Sequence, residues 1–208
     1  MKKSIDYSLY LCTDRGLMTS PTIEQSVELA LLGGASVVQL REKDCSSREF
    51  YELGLRVRAI TDRFGVPLIV NDRVDIALAV GAAGVHVGQG DLPCRAVRAL
   101  VGEDCIVGVS ASTLEQAIEA ERDGADYLGI GAMNATATKT DAALVTPEQF
   151  EEIRRAVHIP LVVIGGVNAS NIAQYRRMGA DGAAVVSAIV AQPDVEAAAR
   201  ELLTLWRG

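Results

Sequence analysis

The pattern Gly-Ala-x recurs at Gly34-Ala35-Ser36, Gly81-Ala82-Ala83, Gly124-Ala125-Asp126 and Gly179-Ala180-Asp181, at intervals of 47, 43 and 55 residues. Each copy closes an amphipathic stretch of helical length and leads into a short apolar run. Glycine supplies the left-handed residue that ends a helix, and the alanine after it lets the chain turn tightly into a strand. Four such turns make the chain read as four variations on a double βα unit.

Eight strands fit this frame, at Ser8 to Thr13, Val37 to Arg41, Leu68 to Asn71, Gly84 to Val87, Ile106 to Ser110, Tyr127 to Ile130, Leu161 to Ile164 and Gly182 to Val186. A helix is expected after each. Ser46-Ser47-Arg48-Glu49 is a capping box opening a helix to about Phe64, and Thr146-Pro147 offers an N-cap followed by proline at the first helical position. Eight strands and eight helices in 208 residues predict an α/β chain folded as a single-domain (β/α)8 TIM barrel spanning residues 1–208. An open doubly wound sheet is the alternative, but Gly129-Ile130-Gly131-Ala132-Met133-Asn134 lacks the third glycine of a dinucleotide fingerprint and no helix start follows it. Because 49% of residues are hydrophobic and only 4% aromatic, the core is expected to consist of Ala, Val, Leu and Ile.

Twenty Lys and Arg against 27 Asp and Glu, a net charge of -7, give no general attraction to nucleic acid or to an anionic membrane. An anionic ligand must therefore meet a local cluster of cations. No apolar run reaches the roughly 18 residues that span a bilayer, and the apolar stretch between Asp6 and Asp14 is too short for a signal peptide, so a cytoplasmic location is expected. Cys12, Cys45, Cys94 and Cys105 are far apart and form no Cys-x-x-Cys pair, the pattern of free thiols and not of a zinc knuckle or redox dithiol.

Reacting groups in such a barrel sit at the C-terminal ends of the strands. Strand two ends in Gln39-Leu40-Arg41-Glu42-Lys43, where alternation aims Gln39, Arg41 and Lys43 the same way; the competing reading is a surface ion-pair group with Glu42 and Asp44. Asp72 after strand three and Asp91 after strand four could share one Mg²⁺, or each could cap the helix that follows. His86, flanked by valines, is either a hydrogen-bonded interior histidine or a substrate contact, whereas His158 reads as surface. Loop six carries Thr136, Thr138 and Lys139; Gly165-Gly166 after strand seven and Val186-Ser187 after strand eight fit a phosphate cradle built from backbone N–H groups and a hydroxyl. A carboxylate pair for a hard cation, the cations Arg41, Lys43 and Lys139, and a separate neutral cradle suit two phosphorylated substrates, one a diphosphate leaving group.

The ordered set Val38 to Lys43, Asn71-Asp72-Arg73-Val74-Asp75, Gly84 to Gln89 with Asp91, Gly108-Val109-Ser110, Thr136-Ala137-Thr138-Lys139, Ile164-Gly165-Gly166 and Val185-Val186-Ser187 resembles thiamine-phosphate synthase along the whole chain. The resemblance implies a (β/α)8 transferase that joins hydroxymethylpyrimidine diphosphate to hydroxyethylthiazole phosphate, releasing diphosphate. It implies that Gln39, Leu40, Arg41, Glu42, Lys43, Asn71, Ser110 and Lys139 bind the pyrimidine diphosphate, and that Asp72 and Asp91 hold Mg²⁺. Thr136, Ala137, Thr138, Gly166, Val186 and Ser187 bind the thiazole phosphate on the same basis. Arg41, Lys43, Ser110 and Lys139 then carry the catalysis, through a pyrimidine methylene cation captured by the thiazole nitrogen. The implied partners are small molecules, with no nucleic acid and no membrane; a homo-oligomer is compatible with the sequence. The chain departs from the family at Ala132, Asn134 and Ala135, where a Gly-Pro, an aromatic and a second proline are usual, and at Ser112, often histidine. Two competing functions are a thiazole tautomerase on the same barrel and a non-catalytic phosphate-binding barrel; the retained cations and carboxylates favour neither.

Overall fold

Helix-ending glycines set the rhythm of the chain. Gly34, Gly81, Gly124 and Gly179 all have positive φ (101°, 64°, 93° and 93°), the conformation that a Cβ disfavours. Each releases the backbone into a strand within a few residues. The computed structural model describes residues 4–134 and 144–208, so Ala135 and the predicted ligands Thr136, Ala137, Thr138 and Lys139 lie outside the described residues.

The strands are β1 (Leu9–Cys12), β2 (Val37–Leu40), β3 (Leu68–Asn71), β4 (Gly84–Val87), β5 (Ile106–Ala111), β6 (Tyr127–Ile130), β7 (Leu161–Val163) and β8 (Gly182–Val185). All pair in parallel, each with its sequence neighbour, and β1 pairs with β8 to close the barrel. The fold expectation is met, with strand ends differing from the sequence reading by no more than one residue. Between the strands lie α1 (Ile23–Leu32), α2 (Ser47–Phe64), α3 (Val74–Val80), α4 (Cys94–Val101), α5 (Leu114–Arg122), α6 (Pro147–Ala156) and α7 (Ile172–Arg177). After β8 come a single turn, α8 (Ser187–Val190), and then α9 (Val195–Arg207), which packs on α1 and β1.

Both expected capping boxes form. Ser46 accepts from the Glu49 N–H while the Glu49 carboxylate accepts from the Ser46 N–H at 2.8 Å, and Thr146 and Gln149 reciprocate in the same way at the start of α6. No described helix is long and apolar enough to cross a membrane.

Two apolar layers result from strand alternation. Outward residues such as Leu9, Leu11, Val38, Leu40, Val70 and Val85 meet the helices. The barrel interior differs from the composition-based expectation, because Tyr7, Tyr10 and Tyr127 fill it together with Val37, Ile69, Ile106 and Val162. Three of five tyrosines are thus concentrated in one narrow space, a fact that an average over the chain conceals. They fit because glycines give way. Gly108 is the cross-strand partner of Tyr127, and a Cβ built there would stand 2.2 Å from the tyrosine Cζ.

Gly108→Ala should therefore overpack the interior and lower stability by about 1–3 kcal/mol. Gly90→Ala, with nothing within 4 Å of the added carbon, should leave it nearly unchanged. Urea unfolding of the two variants beside the parent chain checks the contrast; equal midpoints would contradict it.

Candidate active site

A cavity of about 490 Å³ opens at the C-terminal ends of the strands, with side chains from all eight contributing to its wall. On β2 and just beyond it, alternation works as expected: Gln39, Arg41 and Lys43 line the cavity. The side chains of Leu40 and Glu42 do not. Leu40 is fully buried against the helical layer, and the Glu42 side chain, itself buried, accepts from Arg15 Nε at 2.9 Å. Pleating sends neighbours to opposite faces, so a contiguous motif contributes only every second side chain.

The predicted Asn71, Asp72, His86, Asp91, Ser110, Gly166, Val186 and Ser187 all line the same cavity. Neither aspartate caps a helix. The N-cap positions of α3 and α4 are Arg73 and Pro93, and neither makes a side-chain capping bond. Asp72 has φ 62°, the one positive φ outside glycine among the described residues, and its Oδ2 accepts from Lys43 Nζ at 2.5 Å. Asp91 Oδ2 accepts from the Gly88 N–H at 2.8 Å. Each carboxylate thus has its second oxygen outside any hydrogen bond among the described residues. Two carboxylates at the ends of adjacent strands β3 and β4 form a hard oxygen donor set, which fits a magnesium ion that completes its shell with water and phosphate oxygens.

Opposite this charged side the wall is neutral. Gly165 and Gly166 follow β7 with φ of 99° and 64°, and Val186 and Ser187 follow β8. A Cβ on Gly165 would fall 2.7 Å from the Ala132 Cβ, so the loops after β6 and β7 touch through glycine. Asn134, at the position where the family usually has an aromatic, donates from Nδ2 to the Gly165 carbonyl at 3.1 Å and to the Tyr175 hydroxyl at 2.6 Å. The departure therefore joins the loop after β6 to the one after β7. Ser112 points elsewhere, bonding Gln116 Oε1 at 3.1 Å.

His86 is the hydrogen-bonded interior histidine of the first reading, at the edge of the cavity. It is buried, its Nδ1 lies 2.8 Å from the Tyr127 hydroxyl and its Nε2 2.9 Å from Ser110 Oγ, yet it also lines the cavity. His158 is at the surface.

Sequence reasoning missed Tyr10, Asp14 and Tyr127. Asp14 Oδ2 accepts from Arg41 Nη1 at 3.2 Å, giving the second cavity cation its own carboxylate. A signal was present, since Tyr10, Cys12 and Asp14 share the period-two spacing used for Gln39, Arg41 and Lys43.

The family model described as thiamine monophosphate synthase matches residues 9–189. The chain belongs to that family. It is 54% identical over 202 residues to the thiamine-phosphate synthase of Clostridium botulinum, covering 97% of this chain and 95% of that one. The Ruminiclostridium cellulolyticum thiamine-phosphate synthase is 55% identical over 206 residues, with 99% and 98% coverage. Among solved structures, the thiamine phosphate pyrophosphorylase of Pyrococcus furiosus superposes with a TM-score of 0.91 at 40% identity, covering 97% of this chain and 96% of its own.

Cys12 also lines the cavity, but its chemistry is muted. Burial pushes its thiol up to about 12, with Arg41 pulling the other way, and burial takes Cys94 to about 11. At pH 8 Cys12 is therefore held as the thiol, the form that does not react as a nucleophile. Iodoacetamide at pH 8 should leave Cys12 and Cys94 unmodified in the folded protein and modify both in urea, as peptide mass mapping would record. Labelling of Cys12 at the rate of a free thiol would contradict this account.

Proposed function

We propose that this chain joins hydroxymethylpyrimidine diphosphate to hydroxyethylthiazole phosphate, forming thiamine phosphate and releasing diphosphate. The observation that carries the reading is the unlike character of the two sides of one cavity. Arg41, Lys43, Asp72 and Asp91 gather on one side, and the uncharged turns after β7, with Gly165 and Gly166, and after β8 line the other.

The charged side suits a leaving diphosphate. Arg41 and Lys43 bind its oxygens and stabilise the charge that grows as the bond between the pyrimidine methylene carbon and the diphosphate oxygen breaks, the electron pair leaving with oxygen. Asp72 and Asp91 would hold magnesium, which when bound neutralises part of the diphosphate charge. Lys139, by its resemblance to the family, adds a third cation. Gln39, Asn71 and Ser110 orient the pyrimidine over the cavity floor. Gly166, Val186 and Ser187 bind the thiazole phosphate, assisted by Thr136 to Thr138, so that the thiazole nitrogen faces the methylene cation. That nitrogen supplies the electrons of the new bond, and the step needs no general base.

Incubation with both substrates and Mg²⁺, followed by mass detection of thiamine phosphate and diphosphate, tests the reading. Isomerisation of a thiazole carboxylate phosphate would favour the tautomerase instead. Phosphate-ligand binding without turnover would favour a binding barrel.

The metal assignment has its own signature. Asp72→Asn and Asp91→Asn should each raise the Mg²⁺ concentration at half-maximal rate and lower turnover, while the double variant should be little worse than the poorer single one, because both serve one ion. Additive losses with unchanged Mg²⁺ dependence would overturn the shared site.

A further inference from the structure

A chain of four hydrogen bonds crosses the floor of the cavity. Gln39 Nε2 donates to the Tyr10 hydroxyl at 2.9 Å, and that hydroxyl lies 2.7 Å from the Tyr127 hydroxyl. The Tyr127 hydroxyl is 2.8 Å from His86 Nδ1, and His86 Nε2 is 2.9 Å from Ser110 Oγ. Five strands thus contribute one member each: β2, β1, β6, β4 and β5. The two ends, Gln39 and Ser110, both line the cavity. Tyr10 and Tyr127 are each 1% exposed, so their protons have to be used within the chain.

Counting protons fixes the direction of every bond. The Gln39 amide donates to the Tyr10 oxygen, and the other partner of that buried hydroxyl among the described residues is the Tyr127 oxygen, so the Tyr10 proton goes there. The Tyr127 proton then goes to His86 Nδ1, which must present a lone pair. A neutral imidazole with a bare Nδ1 carries its proton on Nε2, and that proton goes to Ser110 Oγ. Ser110 accepts from below and has its own proton left for the cavity. Gln39 retains Oε1 as an acceptor. Burial holds both tyrosines well above their ordinary range, so neither phenol loses the proton that the sequence of bonds requires.

We infer that Tyr10, Tyr127 and His86 are positioning residues that lock Ser110 as a hydrogen-bond donor and the Gln39 carbonyl as an acceptor toward one ligand. The ligand edge that fits has an acceptor nitrogen for Ser110 and a donor group for Gln39, as an aminopyrimidine ring provides. This specificity role rests on the pyrimidine reading proposed above. The directional lock itself does not, because it follows from the four bonds alone.

The chain has two histidines, so ¹⁵N-histidine labelling of the full-length protein, with His158→Gln to assign the signals, reads the His86 tautomer without any substrate. The expected state near neutral pH is protonated on Nε2 and bare on Nδ1. A proton on Nδ1, or on both nitrogens, would overturn the lock. Tyr127→Phe cuts the chain at its centre. It should raise KM for the pyrimidine diphosphate about tenfold while the KM for the thiazole phosphate stays within about twofold. In a Ser110→Ala background the same substitution should add little. Equal increases in both KM values, or additive losses, would overturn the coupling while product formation by the parent enzyme upholds the functional reading. If the parent makes no thiamine phosphate, the functional reading fails and the tautomer still decides the lock. Should Tyr127→Phe not fold, Tyr10→Phe provides the same comparison.

Discussion

Closing eight parallel strands into a ring forces their inward side chains to share one space, and the packing of Tyr127 governs how that space is used. Its ring lies 4.9 Å from Tyr7, 5.8 Å from Tyr10 and 5.5 Å from His86, centroid to centroid. It fits because its cross-strand partner is Gly108. One strand along, a Cβ on Gly129 would stand 3.0 Å from His86 Cε1, so a second glycine leaves room for the imidazole. Glycine on one strand and a large polar-tipped ring on another together form a floor that is closely packed yet hydrogen-bonded throughout. An aliphatic interior would pack as well, but it would leave Gln39 and Ser110 without fixed partners.

Above this floor the problem is electrostatic. The chain has a net charge of -7, which would repel a diphosphate at long range. The strand ends answer locally, since Arg41 and Lys43 project into the cavity from one strand and its extension. The same alternation that hides Leu40 and turns Glu42 away brings these cations together. Spacing in the sequence thus becomes a charge pattern in space.

The barrel was legible because every second αβ turn is marked chemically, with glycine at a left-handed position and alanine behind it, and because capping boxes open α2 and α6. Asp72 and Asp91 were legible as strand-end carboxylates, although the helix-cap alternative stayed open until their partners, Lys43 and the Gly88 N–H, were visible. Leu40 and Glu42 entered the expected ligand set because a motif was carried over as a block, whereas the pleat turns their side chains away from the cavity. The tyrosine–histidine floor was invisible for a different reason. Its members are scattered from position 10 to position 127, and only the register of β1, β4, β5 and β6 brings them into contact. Asn134 illustrates a third case. Its divergence from the family reads in sequence as something lost, whereas in space it ties two loops through Gly165 and Tyr175.

Among the described residues both cavity cations have a carboxylate partner, Arg41 with Asp14 and Lys43 with Asp72, and this bears on what the cavity accepts. The protein compensates this charge internally, so a bare anion gains little on arrival: to reach Lys43 it must separate an ion pair and leave Asp72 without a counter-charge. On the function proposed above, a diphosphate arriving with a divalent cation would bring a replacement for both members, its oxygens for the lysine and its metal for the aspartate. Binding then becomes an exchange of partners in which every charge ends up matched, and that double exchange favours a metal-complexed polyanion over a lone one of similar size.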